Sequence, residues 1–510
     1  MDDLDHDIRP LVRWLGKPPE EWQRADLVRF GLDAGVRVLN LRYPSFDGKL
    51  RELRLPVNDR SYLDRLLAAG ERVDGSSLFP GLFDAGESDL YVVPVYRWAF
   101  RNPFADDELD VVCRFADRSG APAPTPDNLL AEVADRLTRS TGLSLAALAE
   151  LELYLVLDRR DDRFTGKAQR AYQQSSPYLH GRDLADELLR VVASVTGRVK
   201  YCHAEVGYID RIQSEDPELA DRRLEQYELE MDLMPVEDLG CWLTVSRWLA
   251  RTVADRRGAS ATFAPKLDEG MAGSGMHLHL ALERDGVNAM DGVDGELSDD
   301  ALRLVGGILG RAVPLTAFGN TVASSYLRLV PGQEAPTRIC WGRRNRSALI
   351  RVPLSFGTGG RMDRRMNPRE EGELPSALSR PTVEYRSPDG SAFPHLLLAA
   401  VTLAVEEGLT AEESLERARE LEVTGDLTDR ADLGEGLDQL PDTAVAAARA
   451  LREERVFFEQ GGFPPRLLDA VIAKLEAERD EGLSERLQAL PVAERLAESR
   501  RLMHKDLHKH

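Results

Sequence analysis

Cysteine is scarce in this chain. The four residues Cys113, Cys202, Cys241 and Cys340 lie far apart and form no Cys-x-x-Cys pair. A zinc ribbon and a disulfide framework are therefore excluded, and buried free thiols are expected. Positive charge is in deficit: 66 Lys and Arg against 87 Asp and Glu leave a net charge of -21. Such a surface repels nucleic acid and anionic membranes, so neither is expected as a partner. No apolar run reaches the roughly 18 residues that a membrane-spanning helix needs. The N-terminus, Met1-Asp2-Asp3-Leu4-Asp5, is acidic and has no apolar core. It does not read as a signal peptide, and a cytoplasmic location is expected. No Gly-x-x-x-x-Gly-Lys-Ser/Thr segment is present, so any nucleotide is held without a P-loop. Internal repeats and low-complexity linkers are also missing.

What remains is a globular composition, with 43% hydrophobic and 30% charged residues over 510 positions. That length exceeds one ordinary core, so a large domain and a smaller one are expected. Residues 26–57 read as a helix and then a hairpin, with Leu39, Leu41 and Tyr43 on one strand, Asp47-Gly48 as the turn, and Leu53, Leu55 and Val57 on the return. A second β-rich stretch covers Leu90 to Phe115, and the Gly, Ser and Asp between Val73 and Ser88 read as a loop. Together these make a small α+β domain over residues 1–117. The segment Gly120-Ala121-Pro122-Ala123-Pro124-Thr125-Pro126 is a connector. From a helix starting near Asp127, strands alternate with longer helices to about residue 410. One helix is expected from Trp242 to Arg257, with Trp242, Val245, Leu249 and Val253 on one face and Gly258 as its stop. The tail is helical, with Asp442 as a cap, a break at Gly461-Gly462, and a further helix from Pro465 to Arg479.

The informative pattern is a set of polar teeth on apolar strands. Glu150 and Glu152 alternate with Leu151, Leu153 and Leu155. His277 and His279 alternate with Met276, Leu278 and Leu280, after the turn Gly273-Ser274-Gly275. Gln226, Glu228, Glu230 and Asp232 alternate with Tyr227, Leu229, Met231 and Leu233. Glu384 and Arg386 alternate with Val383 and Tyr385, and His203-Ala204-Glu205-Val206 is a shorter case. Residues two apart on a strand share a face, with Cα atoms roughly 6–7 Å apart. For any one strand the plainer reading is a wet outer face. A sheet of this size has both faces covered, however, so converging polar faces would put several carboxylates in one cavity. Like charges at that range raise one another's pKa unless cations neutralise them. An oxygen-rich site with imidazole suits Mg²⁺ or Mn²⁺ better than zinc. Arginines follow at Arg328, Arg343, Arg344, Arg346 and Arg351. The apolar company of Arg351 (Leu349, Ile350, Val352) draws it inward, where a planar guanidinium binds phosphate or carboxylate bidentately.

These residues, in this order, resemble the glutamine synthetase family, of the prokaryotic ring-forming type. The motifs that carry the likeness are Val73-Asp74-Gly75-Ser76-Ser77, Gly86-Glu87-Ser88-Asp89-Leu90, Glu150-Leu151-Glu152, Ala261-Thr262-Phe263-Ala264-Pro265-Lys266 and Gly273-Ser274-Gly275-Met276-His277-Leu278-His279. They continue with Arg328-Leu329-Val330-Pro331-Gly332-Gln333-Glu334-Ala335-Pro336, Asn345-Arg346-Ser347-Ala348 and Glu384-Tyr385-Arg386-Ser387-Pro388-Asp389. The resemblance implies an α+β fold. A small N-terminal β-grasp-like domain would precede a large catalytic domain, residues 118–510, with a curved antiparallel sheet and surrounding helices. A helical C-terminal extension would run from about 438 to 510.

It also implies roles. Glu152, Glu205 and Glu228 would hold one metal; Glu150, His277 and Glu384 would hold a second. The ions would be Mg²⁺ or Mn²⁺, two or three per site, with ATP as co-substrate. Glu228 is reached by allowing an insertion after Glu205 to about Leu224, and fits the family spacing better than Gln213 does. Arg328 and Arg386 would hold the carboxylates of glutamate against the Gly273 backbone. Arg346 and Arg351 would clamp phosphate, with His279 near the nucleotide phosphates. Glu334 would close a flap over the glutamate. Asp74, Ser77 and Tyr172 would form the ammonium site.

The implied reaction is glutamine synthesis from glutamate, ammonium and ATP through γ-glutamyl phosphate. The implied assembly is a homo-oligomer, a dodecamer of two hexameric rings with active sites between subunits. Departures from the family pattern are Ala272 where Asn is usual, Phe393-Pro394-His395 where Asn-Pro-Tyr is usual, a longer charged segment from Arg361 to Arg380, and the C-terminal extension. No tyrosine follows Tyr385, so adenylylation of a C-terminal tyrosine is not expected. Rival readings are a γ-glutamyl ligase for an organic amine or polyamine, a catalytically silent relative, and a guanidino kinase. The last should lack the Asp-Gly-Ser-Ser loop.

Overall fold

Asp47-Gly48 turns the chain back on itself, with Gly48 at φ 76°, and sets β1 (Val38–Pro44) antiparallel to β2 (Leu50–Pro56). With β3 (Glu71–Asp74), β4 (Asp89–Arg101) and β5 (Glu108–Ala116) these strands form a five-stranded sheet in the order β2-β1-β5-β4-β3. The computed structural model describes residues 2–509 except 85, 87, 161–165, 293–295, 331–334, 355–361, 374–380, 426 and 428–430. In the small sheet β1 and β5 run parallel and the other pairs antiparallel. The helices Arg24–Asp33 and Arg60–Ala69 contribute Leu27, Phe30, Leu63, Leu66 and Leu67 to the core. The stretch expected to be a loop, 73–88, holds the end of β3 and the one-turn helix Gly75–Leu78.

A ten-stranded sheet follows, assembled from β6 (Ser144–Leu157), β7 (Val199–Ile209), β8 (Arg223–Met231), β9 (Met234–Pro235), β10 (Ser260–Thr262), β11 (Met276–Arg284), β12 (Val287–Asn288), β13 (Trp341–Arg343), β14 (Ile350–Val352) and β15 (Val383–Tyr385). Its main path is β13-β14-β15-β11-β6-β8-β7, with β9 and β10 paired to β6 and β12 to β11. Every pair is antiparallel except β13 with β14. The expected antiparallel sheet is therefore present, with one short parallel pair at its edge.

The leucines of β6 and their counterparts on β8 and β11 are buried, with the helices Pro126–Thr141 and Val236–Arg256 packed on β6 and the helix Pro394–Thr410 packed in turn on those two. The helix expected from Trp242 begins earlier, at Val236. Pro235 fixes the entry and Glu237 and Asp238 supply negative charge to the first turn. Those two acids also tie this helix to the small sheet: Arg97 reaches Glu237 at 3.0 Å and Asp238 at 3.1 Å, and Arg114 reaches Glu237 at 2.5 Å. In the tail, Thr443 rather than Asp442 caps the helix Ala444–Glu453 by accepting from the Ala446 N–H, and the chain breaks at Glu454 before a second short helix, Arg455–Gln460. Two more helices, Leu483–Gln488 and Val492–His504, pack beyond the helix Pro465–Glu476. All four cysteines are buried and free. No single helix among the described residues is long and apolar enough to cross a membrane.

Candidate active site

Register decides which side chains meet on the large sheet. Across β11 and β6, His277 stands opposite Glu150. Across β6 and β8, Glu150 stands opposite Glu230 and Glu152 opposite Glu228. Across β8 and β7, Glu228 stands opposite His203. On the far side of β11, His279 faces Glu384, which in turn faces Arg351. Residues directly opposite in antiparallel strands share a face, so six strands deliver their polar teeth to one surface.

Two centres result. In the first, ligand atoms of His203, Glu205 and Glu228 all lie within 4.8 Å of one another. His203 Nε2 is 3.2 Å from Glu228, and His203 Nδ1 is 3.8 Å from Glu205. Burial, then the charges of Glu152 and Glu228, push the Glu205 carboxyl up to about 8. Burial opposes a charge on His203, but its bond to Glu228 and the nearby carboxylates outweigh this and raise it to about 9. A group of acids that must hold protons for want of countercharge is a cation-seeking arrangement.

In the second centre, Glu150, His279 and Glu384 meet under the same 4.8 Å limit. His277 Nδ1 joins them at 2.8 Å from Glu150 and 3.6 Å from Glu384. Arg328 donates to His277 Nε2 at 3.4 Å, so Nδ1 carries the hydrogen that Glu150 accepts. His279 bonds Glu150 through Nε2 and Thr382 through Nδ1, both at 3.0 Å. Burial disfavours the Glu150 carboxylate, yet these two imidazoles hold its pKa well below the usual range. Glu150, Glu228 and Glu230 form a third group that joins the two centres. The donors are mainly carboxylate oxygens with imidazole nitrogens, a set that fits Mg²⁺ or Mn²⁺.

Guanidinium groups flank the acids. Glu384 is 1% exposed and accepts from Arg351 and Arg386, each at 2.7 Å. Buried Arg328 donates to the Ser387 carbonyl at 2.8 Å, and its stem lies along the Gly273-Ser274-Gly275 turn. A Cβ at Gly273 would stand 2.6 Å from the Pro265 carbonyl oxygen and 2.8 Å from Arg328 Cγ; one at Gly275 would stand 2.7 Å from His277 Nε2. At Gly273 only glycine permits this approach to backbone; at Gly275 a side chain would displace the His277 ring and the Arg328 guanidinium. Two cavities, of about 460 and 570 Å³, lie elsewhere, against the C-terminal helices, whereas one of about 340 Å³ opens beside the cluster and is lined by Glu150, Tyr201, Leu233, His279, Arg351 and Leu354.

The remaining expected site residues are distributed as follows. Tyr172 is half exposed and sets its ring edge-on to His203, with centroids 5.5 Å apart. Its loop is tied to β7, where the Gln173 N–H donates to the Ala204 carbonyl at 2.8 Å. Arg346 is exposed on the turn between β13 and β14. Asp74 ends β3 of the small sheet and Ser77 lies on the one-turn helix after it, both exposed. The Asp74 carboxylate accepts from Ser77 Oγ at 2.6 Å, Ser76 Oγ at 2.7 Å and the Ser76 N–H at 3.0 Å, bonds that hold its pKa far below the usual range. Among the described residues no hydrogen bond links Asp74 to the cluster. Glu334 lies outside the described residues.

Two contributors had only strand alternation to announce them. His203 sits inside the first centre. Gln226, 1% exposed, donates to Glu152 at 3.0 Å and to the Gly273 carbonyl at 2.9 Å, and accepts from the Gly207 N–H at 3.0 Å. It ties a cluster carboxylate to the glycine turn. Gln213 instead bonds Arg500 at 2.8 Å at the surface, away from the cluster.

Comparison with known proteins points the same way. Residues 124–482 match the family model described as the glutamine synthetase catalytic domain. The glutamine synthetase of Thermococcus kodakarensis is 30% identical over 436 residues, covering 84% of this chain and 86% of that one. That of Pyrococcus abyssi is 29% identical over 440 residues, covering 85% and 89%. Two solved structures share the fold. One described as apo GmaS without ligand has a TM-score of 0.71 at 22% identity, covering 92% of this chain and 98% of its own. Plasmodium falciparum glutamine synthetase has a TM-score of 0.71 at 18% identity, covering 93% and 98%.

Proposed function

Because the chain belongs to the glutamine synthetase family, we propose that it joins the γ-carboxylate of glutamate to ammonia, with ATP cleaved to ADP and phosphate. The observation that carries this reading is the convergence of Glu150, Glu228, His277, His279 and Glu384 beside Arg328, Arg351 and Arg386. Glu152, Glu205 and Glu228, with His203 beside them, would hold one divalent cation. Glu150, His277 and Glu384 would hold another. Bound Mg²⁺ or Mn²⁺ supplies neutralisation of phosphate charge.

The chain's own residues do the rest. Arg328 and Arg386 fix the carboxylates of glutamate, with the Gly273 backbone against the amino acid. Arg346, Arg351 and His279 orient the γ-phosphate of ATP, whose base and sugar occupy the cavity beside Tyr201 and Leu233. A γ-carboxylate oxygen of glutamate attacks the γ-phosphorus in line, the bond to ADP breaks, and γ-glutamyl phosphate forms. Ammonia then attacks the acyl carbon and phosphate leaves. Asp74, whose carboxylate is kept anionic by Ser76 and Ser77, is a poor base in isolation. It acts first as the counter-ion of ammonium. It takes the proton only as the approaching acyl phosphate makes ammonium more acidic. Ser77, Tyr172 and Glu205 complete that pocket, and Glu334 closes it against water. Asp74 and Ser77 are exposed at the end of β3 and on the helix after it, which supports a shared site in which one subunit's small sheet faces its neighbour's cluster. The assembly proposed is a homo-oligomeric ring, a dodecamer of two hexamers.

The test is phosphate release with ATP, Mg²⁺, glutamate and a panel of amines, with wild type beside Asp74→Ala. Turnover with ammonium exceeding that with methylamine or polyamines, and largely lost in the variant, is the expected result. Equal rates in the two proteins would remove Asp74 from the mechanism, and a preference for an organic amine would replace ammonium as the substrate.

A further inference from the structure

We infer that the C-terminal helix Val492–His504 and the residues after it form a clamp that sets the position of the glutamate-binding loop, with Arg500 and His504 as positioning residues. The role toward glutamate rests on the ligase reading above; the clamp itself does not. The loop in question, residues 263–275, joins β10 to β11 and carries Gly273.

The inner side of the loop is held by the sheet and by the turn at Gln169. Tyr154 Oη donates to the Ala272 carbonyl at 2.9 Å, Gln226 to the Gly273 carbonyl at 2.9 Å, and the Ala272 N–H donates to Gln169 at 3.1 Å. The outer side is held by the tail, residue after residue. His504 Nε2 meets the Leu267 carbonyl at 2.8 Å. Arg500 makes a two-pronged pair with Asp268, Nε at 2.9 Å and Nη2 at 3.1 Å. Glu269 accepts from Ser499 at 2.7 Å and from Arg495 at 3.2 Å. Thr262, just before the loop, donates to the Leu507 carbonyl at 2.8 Å, and Leu507 is buried in one apolar cluster with Tyr154, Ala264 and Leu267.

The chemistry of these bonds is directional. A carbonyl oxygen can only accept, so His504 Nε2 carries the hydrogen, and Nδ1 takes the Ser214 hydroxyl at 2.8 Å. The ring is neutral, and burial lowers its pKa. The Arg500 fork matches a carboxylate bidentately, a geometry that lysine cannot copy. Within the loop, Lys266 Nζ donates to the Met271 carbonyl, so displacement at 267–269 is carried across to the Gly273 turn. Misplacing a substrate-positioning group by about 1 Å can cost on the order of 100-fold. The tail that makes these contacts lies beyond residue 482, where the match to the family domain ends. The clamp is thus made by residues outside the matched catalytic domain.

The test combines hydrogen exchange with kinetics on the full chain. The variants are Arg500→Met, Arg500→Lys, and the charge-swapped pair Arg500→Glu with Asp268→Arg. Arg501→Ala is the control, since Arg501 pairs with Glu215 and Glu498 and not with the loop. In Arg500→Met, amides of 263–275 exchange faster. KM for glutamate rises on the order of tenfold, while KM for ATP and kcat stay within about twofold. The swapped pair restores most of the glutamate KM, Arg500→Lys restores part, and the control matches wild type. Unchanged exchange in 263–275 overturns the clamp. Faster exchange with an unchanged glutamate KM overturns substrate positioning and leaves the ligase reading standing. Parallel loss of glutamate and ATP affinity with a lowered melting temperature overturns it in favour of general stability. Wild-type protein without glutamate-dependent phosphate release overturns the ligase reading, and exchange still decides the clamp.

Discussion

Replacing Gln226 by methionine keeps the side chain's length and removes its amide. Three buried groups then lose a partner: the Glu152 carboxylate, the Gly273 carbonyl and the Gly207 N–H. The Gly273 carbonyl and the Gly207 N–H are left unpaired, at about 1–3 kcal/mol each, while Glu152 keeps the Gly275 N–H at 2.8 Å and loses one of its two donors. Partial relaxation brings the sum to about 3–5 kcal/mol, enough to lower the melting temperature by about 5 °C. No water can easily replace the amide, because the space is already tight: a Cβ at Gly207 would sit 2.4 Å from Gln226 Oε1 and 2.1 Å from Tyr154 Oη. The functional loss should fall on two ligands at once, since Glu152 belongs to the cation cluster and Gly273 to the glutamate turn. KM for glutamate and the Mn²⁺ concentration for half-maximal rate should each rise about tenfold. Differential scanning fluorimetry and phosphate-release kinetics read the two effects. A Gln226→Met protein that melts and turns over like wild type would refute the claim that this amide joins cluster to turn.

Further outcomes follow from the same geometry. His395 is 4% exposed, and burial, then Arg114, hold its pKa down at about 3. The unfolded chain therefore takes up this proton first, and stability is lost as pH falls from about 6.5 toward 3, by about 1.4 kcal/mol per unit. Between pH 6.5 and 5 wild type should lose about 2 kcal/mol more than His395→Leu in urea titrations; equal losses would contradict this. Glu205 is shifted the other way, up to about 8 from 4.5. Its contribution to metal-free stability is present at acid pH and fades as pH rises through about 8, and a bound cation reverses that trend by displacing the proton. Calorimetry of Mn²⁺ binding at pH 7 in buffers of different ionisation enthalpy should detect about one proton released; no release would separate Glu205 from the cation site. The four buried thiols should resist iodoacetamide in native protein and react in urea, and rapid native labelling would contradict their burial.

Much of this was legible in the sequence because strand periodicity is an even two. Glu150-x-Glu152, His277-x-His279 and Glu384-x-Arg386 each announced a polar face. What alternation cannot supply is register, the partner strand and its offset, and it was register that set Glu228 beside His203 and His279 beside Glu384. His203 and Gln226 were visible as polar teeth, yet nothing local marked them as different from a solvated face. Helix ends were read less well for a similar reason. The apolar stripe of Val236–Arg256 starts under tertiary contacts with the small sheet, through Arg97 and Arg114, that lie more than a hundred residues away in sequence. Thr443 took the cap expected of Asp442 because both are capping residues and the choice rests on backbone geometry. The clamp on residues 267–269 was beyond reach, since charged surface helices look alike until their partners are known.

The most direct measurement is equilibrium Mn²⁺ binding by electron paramagnetic resonance, with glutamate-dependent phosphate release followed in the same samples, for wild type, Glu150→Gln and Glu228→Gln. The expected result is about two Mn²⁺ per chain in wild type, one fewer in each variant, and turnover reduced on the order of 100-fold. Variants that keep wild-type stoichiometry and turnover would contradict the claim that these sheet-borne carboxylates hold the cations that activate glutamate.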